Sequence, residues 1–196
     1  MKPKYLMWHC TATPEGMGIS AEWLYSFFTR PVDQGGRGWR KPGYRTVVHI
    51  DGSSSDLIDY DNDDELEWKE VTYGARGFNR ETIHLAYVGG VDAYSSKIPK
   101  DTRTFQQKET MEALTKSILS YHPEIKICGH YQVNPHKACP SFNVNEWLQV
   151  IGIPYDNILH HDDPMIKGLM VSVMNNMYGG MFDIDFNDKK VKEWSL

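Results

Sequence analysis

The sequence predicts an α/β fold, a mixed central β-sheet flanked by helices, with a C-terminal extension set apart from it. Three observations lead there. Short apolar runs recur at Lys4–Cys10, Tyr44–Asp51, Ile83–Val88 and Ile125–Cys128, each bounded by turn residues. Between them lie segments with helical spacing and recognisable start signals. Beyond residue 154 the composition changes to a Met-rich stretch and an acidic end.

Lys4–Cys10 reads as a buried strand ending in the turn Thr11-Ala12-Thr13-Pro14, which places His9 at the strand's carboxyl end. Ser20 is the expected N-cap of a helix with Trp23, Leu24, Phe27 and Phe28 on one face, closed by Pro31. The Gly-rich run 35–43 is a loop. Tyr44–Asp51, the turn signal Asp51-Gly52 and Leu57–Tyr60 together predict a hairpin. Ile83–Val88 is a third strand before Gly89-Gly90, and Ile125–Cys128 a fourth that delivers Gly129-His130. Thr104 to Gln107 has the form of a capping box. It opens a helix with Met111, Leu114, Ile118 and Tyr121 in register, stopped by Pro123. Asn143 to Glu146 repeats the signal before Val144, Trp147, Leu148 and Ile151.

The expected organisation is a catalytic domain over residues 1–154 and an extension over 155–196 packed on it, its Met-rich part helical. At 196 residues the chain is long enough to bury a core without disulfides, and 40% hydrophobic residues against 24% charged describe a globular protein. A net charge of −5 argues against nucleic acid as a partner, since counterion displacement needs clustered Lys and Arg. No stretch approaches transmembrane length, so membrane insertion is not expected. Three cysteines and no apolar leader after Met1 fit synthesis in a reducing cytoplasm without a signal peptide. A monomer is expected.

Chemistry concentrates on His9 and His130, both at strand ends, and Cys139 in the loop that follows. Two imidazoles and a thiolate suit one zinc ion and leave its fourth position open, the mark of a catalytic rather than a structural site. A zinc-bound water with its pKa near 7 is a nucleophile at neutral pH. Lys137, two residues before Cys139, is placed to supply a cation for an oxyanion, and Tyr44 a hydroxyl. Eight histidines offer many chance triples, so spacing by itself leaves two readings open, a metal centre or separate core residues. His136 is an alternative ligand or a solvent-facing loop residue. Cys10 alternates with His9 and so belongs to the opposite face, while Cys128 reads as a packed thiol. His49 and His84 sit mid-strand as structural residues, although His84 is also within reach of a cleft.

The segments Trp8-His9-Cys10-Thr11-Ala12-Thr13, Gly43-Tyr44 and His130 through Lys137-Ala138-Cys139-Pro140-Ser141-Phe142 resemble the zinc N-acetylmuramoyl-L-alanine amidases of the bacteriophage lysozyme type. Peptidoglycan recognition proteins share that superfamily. Ala75-Arg76-Gly77-Phe78-Asn79, followed by Ile83 and Val88-Gly89-Gly90, is similar to the family's central stretch, and the likeness spans roughly residues 4 to 150. The resemblance implies one zinc ion on His9, His130 and Cys139, with Tyr44 and Lys137 as catalytic groups. It implies hydrolysis of the amide between the lactyl group of muramic acid and the first L-alanine of the stem peptide. Retention of the cysteine favours an enzyme over the members that only bind peptidoglycan. The expected biology is that of a phage or prophage endolysin acting on the cell wall after release. The rival is a non-catalytic peptidoglycan-binding or regulatory protein using the same groove.

Phe78, Asn79 and His84 are carried as substrate contacts. Two departures from the family pattern stand out: Tyr73-Gly74 where a histidine often precedes the Ala75–Asn79 patch, and one extra residue between His130 and Lys137, absorbed in Asn134-Pro135-His136. The acidic run Asp59–Glu70 imitates part of a calcium loop but has Asp64 where the turn glycine is required, so a solvated loop is expected. His160-His161-Asp162-Asp163 reads as a surface loop.

Overall fold

The computed structural model describes residues 1–160 except Asn62 and Ser96, together with Asp163 and Ile166. The chain divides into two compact units, Met1–Leu159 and His160–Leu196. The expected Met-rich helix and the packing of an extension lie outside the described residues, Asp163 and Ile166 apart. The first unit holds the sheet.

Its strands are β1 (Tyr5–Cys10), β2 (Thr13–Pro14), β3 (Thr46–Val48), β4 (Ser54–Asp56), β5 (Thr82–Tyr87), β6 (Gly90–Val91) and β7 (Lys126–Gly129). The helices are α1 (Ala21–Thr29), α2 (Phe105–Tyr121), α3 (His130–Val133) and α4 (Val144–Val150). Five strands form a mixed sheet in the order β4-β3-β5-β1-β7, and β2 pairs with β6 separately. Among these described strands, only β4 runs antiparallel to its neighbour, β3. The hairpin expected after Asp51 therefore exists, but its return strand is Ser54–Asp56 rather than Leu57–Tyr60. The turn closes early: Gly52 N–H donates to the His49 carbonyl at 2.9 Å and Asp51 accepts from the Ser53 amide at 3.0 Å.

Side-chain alternation along the strands sorts the interior into two layers. Leu6, Trp8, Cys10, Ile83, Leu85, Tyr87 and Ile127 point to one face, where Met111 and Ile118 of α2 and Val144, Trp147 and Leu148 of α4 complete the core. Trp8 fixes that layer, donating from Nε1 to Thr115 at 3.1 Å and standing edge-on to Trp147 at 6.0 Å. On the other face Leu24 and Phe28 of α1 cover Val47 and Val88. The residues left between, Met7, His9, His84 and Ala86, are paired in register across β1 and β5. Met7 also sits opposite Cys128 of β7.

The helix starts follow their side-chain chemistry. Ser20 accepts from the Trp23 amide at 3.2 Å, and Thr104 and Gln107 satisfy one another at 3.1 and 3.0 Å. Gln107 has a second use. Its amide donates to the carbonyls of Val88 and Val48, tying α2 to the sheet at a site where a buried polar group needs partners. Tyr121, expected on the buried stripe, is half exposed, and Thr115 takes an interior place instead. Asn157 completes the far edge by donating to Pro123 and Ile125 carbonyls at 2.8 and 3.0 Å, and Ile158 and Leu159 are buried in this first unit. Among the described residues no helix is long and apolar enough to cross a membrane.

Candidate active site

β1 carries His9 to its carboxyl end, and alternation turns the imidazole away from the Trp8 and Cys10 layer. β7 stops at Gly129, opposite Trp8, and the chain turns at once into α3, so His130 is a helix residue rather than a strand end. That short helix escapes sequence reading because four residues carry no periodicity. From its end at Asn134 a tight turn, Lys137 N–H to the Asn134 carbonyl at 3.0 Å, leads back to Cys139.

Where β7 leaves the sheet, the Cys10 amide donates to Cys139 Sγ at 3.2 Å. The Tyr131 amide holds the Cys139 carbonyl at 2.8 Å, and Tyr87 donates from its hydroxyl to the next carbonyl, Pro140, at 2.8 Å. Tyr87, Tyr131 and the Cys10 main chain were not singled out from sequence. Tyr87 reaches its partner across 53 positions, which leaves no local signal.

The result is a cluster of three donors. The ligand atoms of His9, His130 and Cys139 all lie within 4.8 Å of one another. His9 Nδ1 is 3.7 Å from Cys139 Sγ, close to the roughly 3.6 Å that zinc–nitrogen and zinc–sulfur bonds of about 2.05 and 2.3 Å give at a tetrahedral angle. The His9 and His130 rings are 4.7 Å apart. His9 is buried, while His130 and Cys139 are only partly so. This donor set fits a zinc ion with a vacant position.

The electrostatics keep the imidazoles neutral, the form that ligates. His9 is held well below the usual histidine range by burial, then by His84 and His130. His130 is lowered to about 4 by burial and by the Lys137 cation, and His84 to about 3 by burial and His130. Cys10 is lowered to about 7 chiefly by its contact with Cys139, while Cys139 is raised by Cys10 and by burial. The Cys10 amide and Lys137 act the other way on Cys139, favouring its thiolate.

Tyr44 lies beside the cluster, its ring 5.0 Å from His9 and its hydroxyl donating to the Cys10 carbonyl at 3.2 Å. Burial first, then the two thiols, raise its pKa well above the usual tyrosine value, so the hydroxyl keeps its proton. Lys137 is exposed on the loop that returns to Cys139. His136 is also exposed there and does not belong to the three-donor group. Cys10 packs in the core, and Cys128 is buried.

The substrate-contact expectations fall in different places. Asn79 Oδ1 accepts from the Ala75 amide at 2.9 Å, bracing its own loop, and Phe78 is partly buried at the start of a short 3-10 turn. His84 is fully buried and meets His9 at 3.0 Å, Nδ1 against Nε2. The acidic run is a clasp: Glu70 is buried and accepts from the Asp61 and Glu67 amides, while Lys69 pairs with Glu67 at 2.7 Å.

The fold and the placement of the cluster define a class, the amidase and peptidoglycan-recognition-like α/β domain. An endolysin from the Thermus scotoductus bacteriophage Ph2119 superposes with a TM-score of 0.57 at 21% identity, covering 78% of this chain and 86% of that one. Drosophila PGRP-LB does so with 0.56 at 16% identity, covering 83% and 86%. The sequence profile of N-acetylmuramoyl-L-alanine amidase matches residues 1–142, and the chain belongs to that family. Endolysins of Enterobacteria phage K11 and Escherichia phage T7 are each 26% identical to it, over 141 and 144 residues, covering 72% of this chain and 82% of theirs.

Proposed function

We propose that this chain is a zinc-dependent peptidoglycan hydrolase that cleaves the amide between the muramic acid lactyl group and L-alanine, as a phage or prophage endolysin. The observation that carries the reading is the convergence of His9, His130 and Cys139, the last two only partly buried. Family membership supports the amide as the bond class, and the endolysin relatives support the cell wall as the setting.

In this reading His9, His130 and Cys139 hold one zinc ion, which when bound supplies a Lewis acid for the carbonyl and a water of lowered pKa. Tyr44 stays protonated beside it, and its single O–H, which rests on the Cys10 carbonyl, turns to the oxygen on which charge develops, assisting proton transfer. Lys137 is an exposed cation whose charge is felt by His130 and Cys139, and in this reading it stabilises the oxyanion. Phe78 and Asn79 belong to the loop that we assign to the stem peptide.

The test is incubation of the full chain, with zinc and with a chelator, on purified muropeptides. New L-alanine amino termini that appear only with zinc are the expected result. Reducing sugar ends would indicate a glycosidase, and binding without cleavage would favour the non-catalytic reading.

A further inference from the structure

We propose that His84 is a positioning residue which accepts the Nε2–H of His9 and thereby commits His9 Nδ1 to the metal. That role rests on the zinc reading of the cluster and adds a residue to it. The two imidazoles meet at 3.0 Å, His9 Nε2 against His84 Nδ1, so one nitrogen donates and the other accepts. The other His9 nitrogen, Nδ1, is the one that faces Cys139 Sγ. If Nδ1 is to offer its lone pair, the proton of the neutral ring stands on Nε2, and His84 Nδ1 must be the acceptor.

The arrangement around His84 fits a dedicated acceptor. The side chain is fully buried, and its Nε2 has no hydrogen-bond partner among the described residues. An imidazole kept in the interior with one nitrogen unsatisfied is destabilising. Its Nδ1 meets His9 instead. Room for the ring comes from Gly74: a methyl group at that position would stand 2.5 Å from His84 Cγ and 2.8 Å from the Gly43 carbonyl. The strand register then fixes the pair, since His84 lies opposite Met7, one step along the face from His9. A ligand imidazole oriented by a second group binds metal about 10- to 100-fold better than one left free.

The experiment measures zinc affinity of the full chain by competition with a chromophoric chelator for wild type, His84→Leu and His84→Asn, with thermal melts of each metal-free protein as the folding control. Leucine fills the space without an acceptor, whereas asparagine places Oδ1 near the position of Nδ1. We expect affinity to fall about 10- to 100-fold in His84→Leu and to return to within about threefold in His84→Asn. Nitrogen-15 shifts of the zinc-loaded wild type should show His9 bound through Nδ1 and protonated at Nε2, with His84 Nδ1 unprotonated. A folded His84→Leu that binds zinc as tightly as wild type overturns the proposal, and so does a His84 protonated at Nδ1. Should His84→Leu fail to fold, the nitrogen shifts and His84→Asn decide. A wild type that binds no zinc overturns the metal site as well, which separates the two failures.

Discussion

The hydroxyl of Tyr44 donates to the main-chain carbonyl of Cys10 at 3.2 Å, joining the residue that leads into β3 to the last residue of β1. The bond holds the phenol beside His9, the two rings 5.0 Å apart. Tyr44→Phe removes that oxygen and leaves the ring. We expect kcat to fall about 10²- to 10³-fold, as for loss of one oxyanion donor. Zinc content should be unchanged, and stability should fall by about 1 kcal/mol. Steady-state kinetics with metal analysis on the same sample would check it, and loss of zinc in the variant would contradict the assignment.

Cys139 and His130 reach the cluster from a loop and a four-residue helix, while His9 comes from the sheet. Cys139→Ala or His130→Ala should lose both bound zinc and amidase activity, because two remaining donors hold zinc weakly. The expected ratio is about one zinc per chain in the wild type and well below that in either variant. Full-speed hydrolysis by Cys139→Ala would sink the metal-centre reading.

Lys137 is exposed and acts on the cluster through charge, lowering His130 and opposing the rise of Cys139. Lys137→Ala should retain zinc and lose about 10²-fold or more in kcat, with KM little changed. An increase in KM at constant kcat would instead assign it to uniform substrate binding.

In the metal-free protein His84 and His130 are lowered to about 3 and about 4 by burial. The unfolded chain takes up these protons near pH 6.5, the folded one only at much lower pH. Stability is therefore full above about pH 6.5 and falls as the pH drops towards 4 and then 3, by about 1.4 kcal/mol per pH unit for each such histidine. Denaturant melts of the chelated protein between about pH 7.5 and about pH 4.5 should show this slope, and His84→Asn should make it shallower.

Thr104 caps α2 and also donates to the Ile50 carbonyl at 2.8 Å. Thr104→Ala should cost about 1–2 kcal/mol of stability without altering zinc content or kcat. A thermal melt and one rate measurement suffice, and a change in zinc content would mean that α2 reaches the site.

Much of this molecule is legible in its letters. The apolar runs and the capping chemistry of Ser20, Thr104 and Asn143 locate β1, β5, β7, α1, α2 and α4, because burial and orphan main-chain groups leave local signatures of period 2, period 3.6 and cap. Alternation alone separates Cys10 from His9. Residue types point to the chemistry: two histidines, a cysteine, Tyr44 and Lys137 resemble the motif set of the amidase family to which the chain belongs.

Only the tertiary structure decides the rest. Whether donors as far apart in the chain as His9 and Cys139, 130 positions, meet is a matter of strand order and of the turn by which β7 becomes α3, neither of which is encoded within a window of neighbours. The same holds for His84, a mid-strand histidine in the sequence that the parallel pairing of β1 and β5 sets against His9, and for Gly74, whose missing side chain has meaning only beside that ring. Local sequence fixes which groups a segment presents and on which face. Convergence of those faces is settled by long-range packing, where burial of the Trp8 and Trp147 layer fixes the sheet on which the site is assembled.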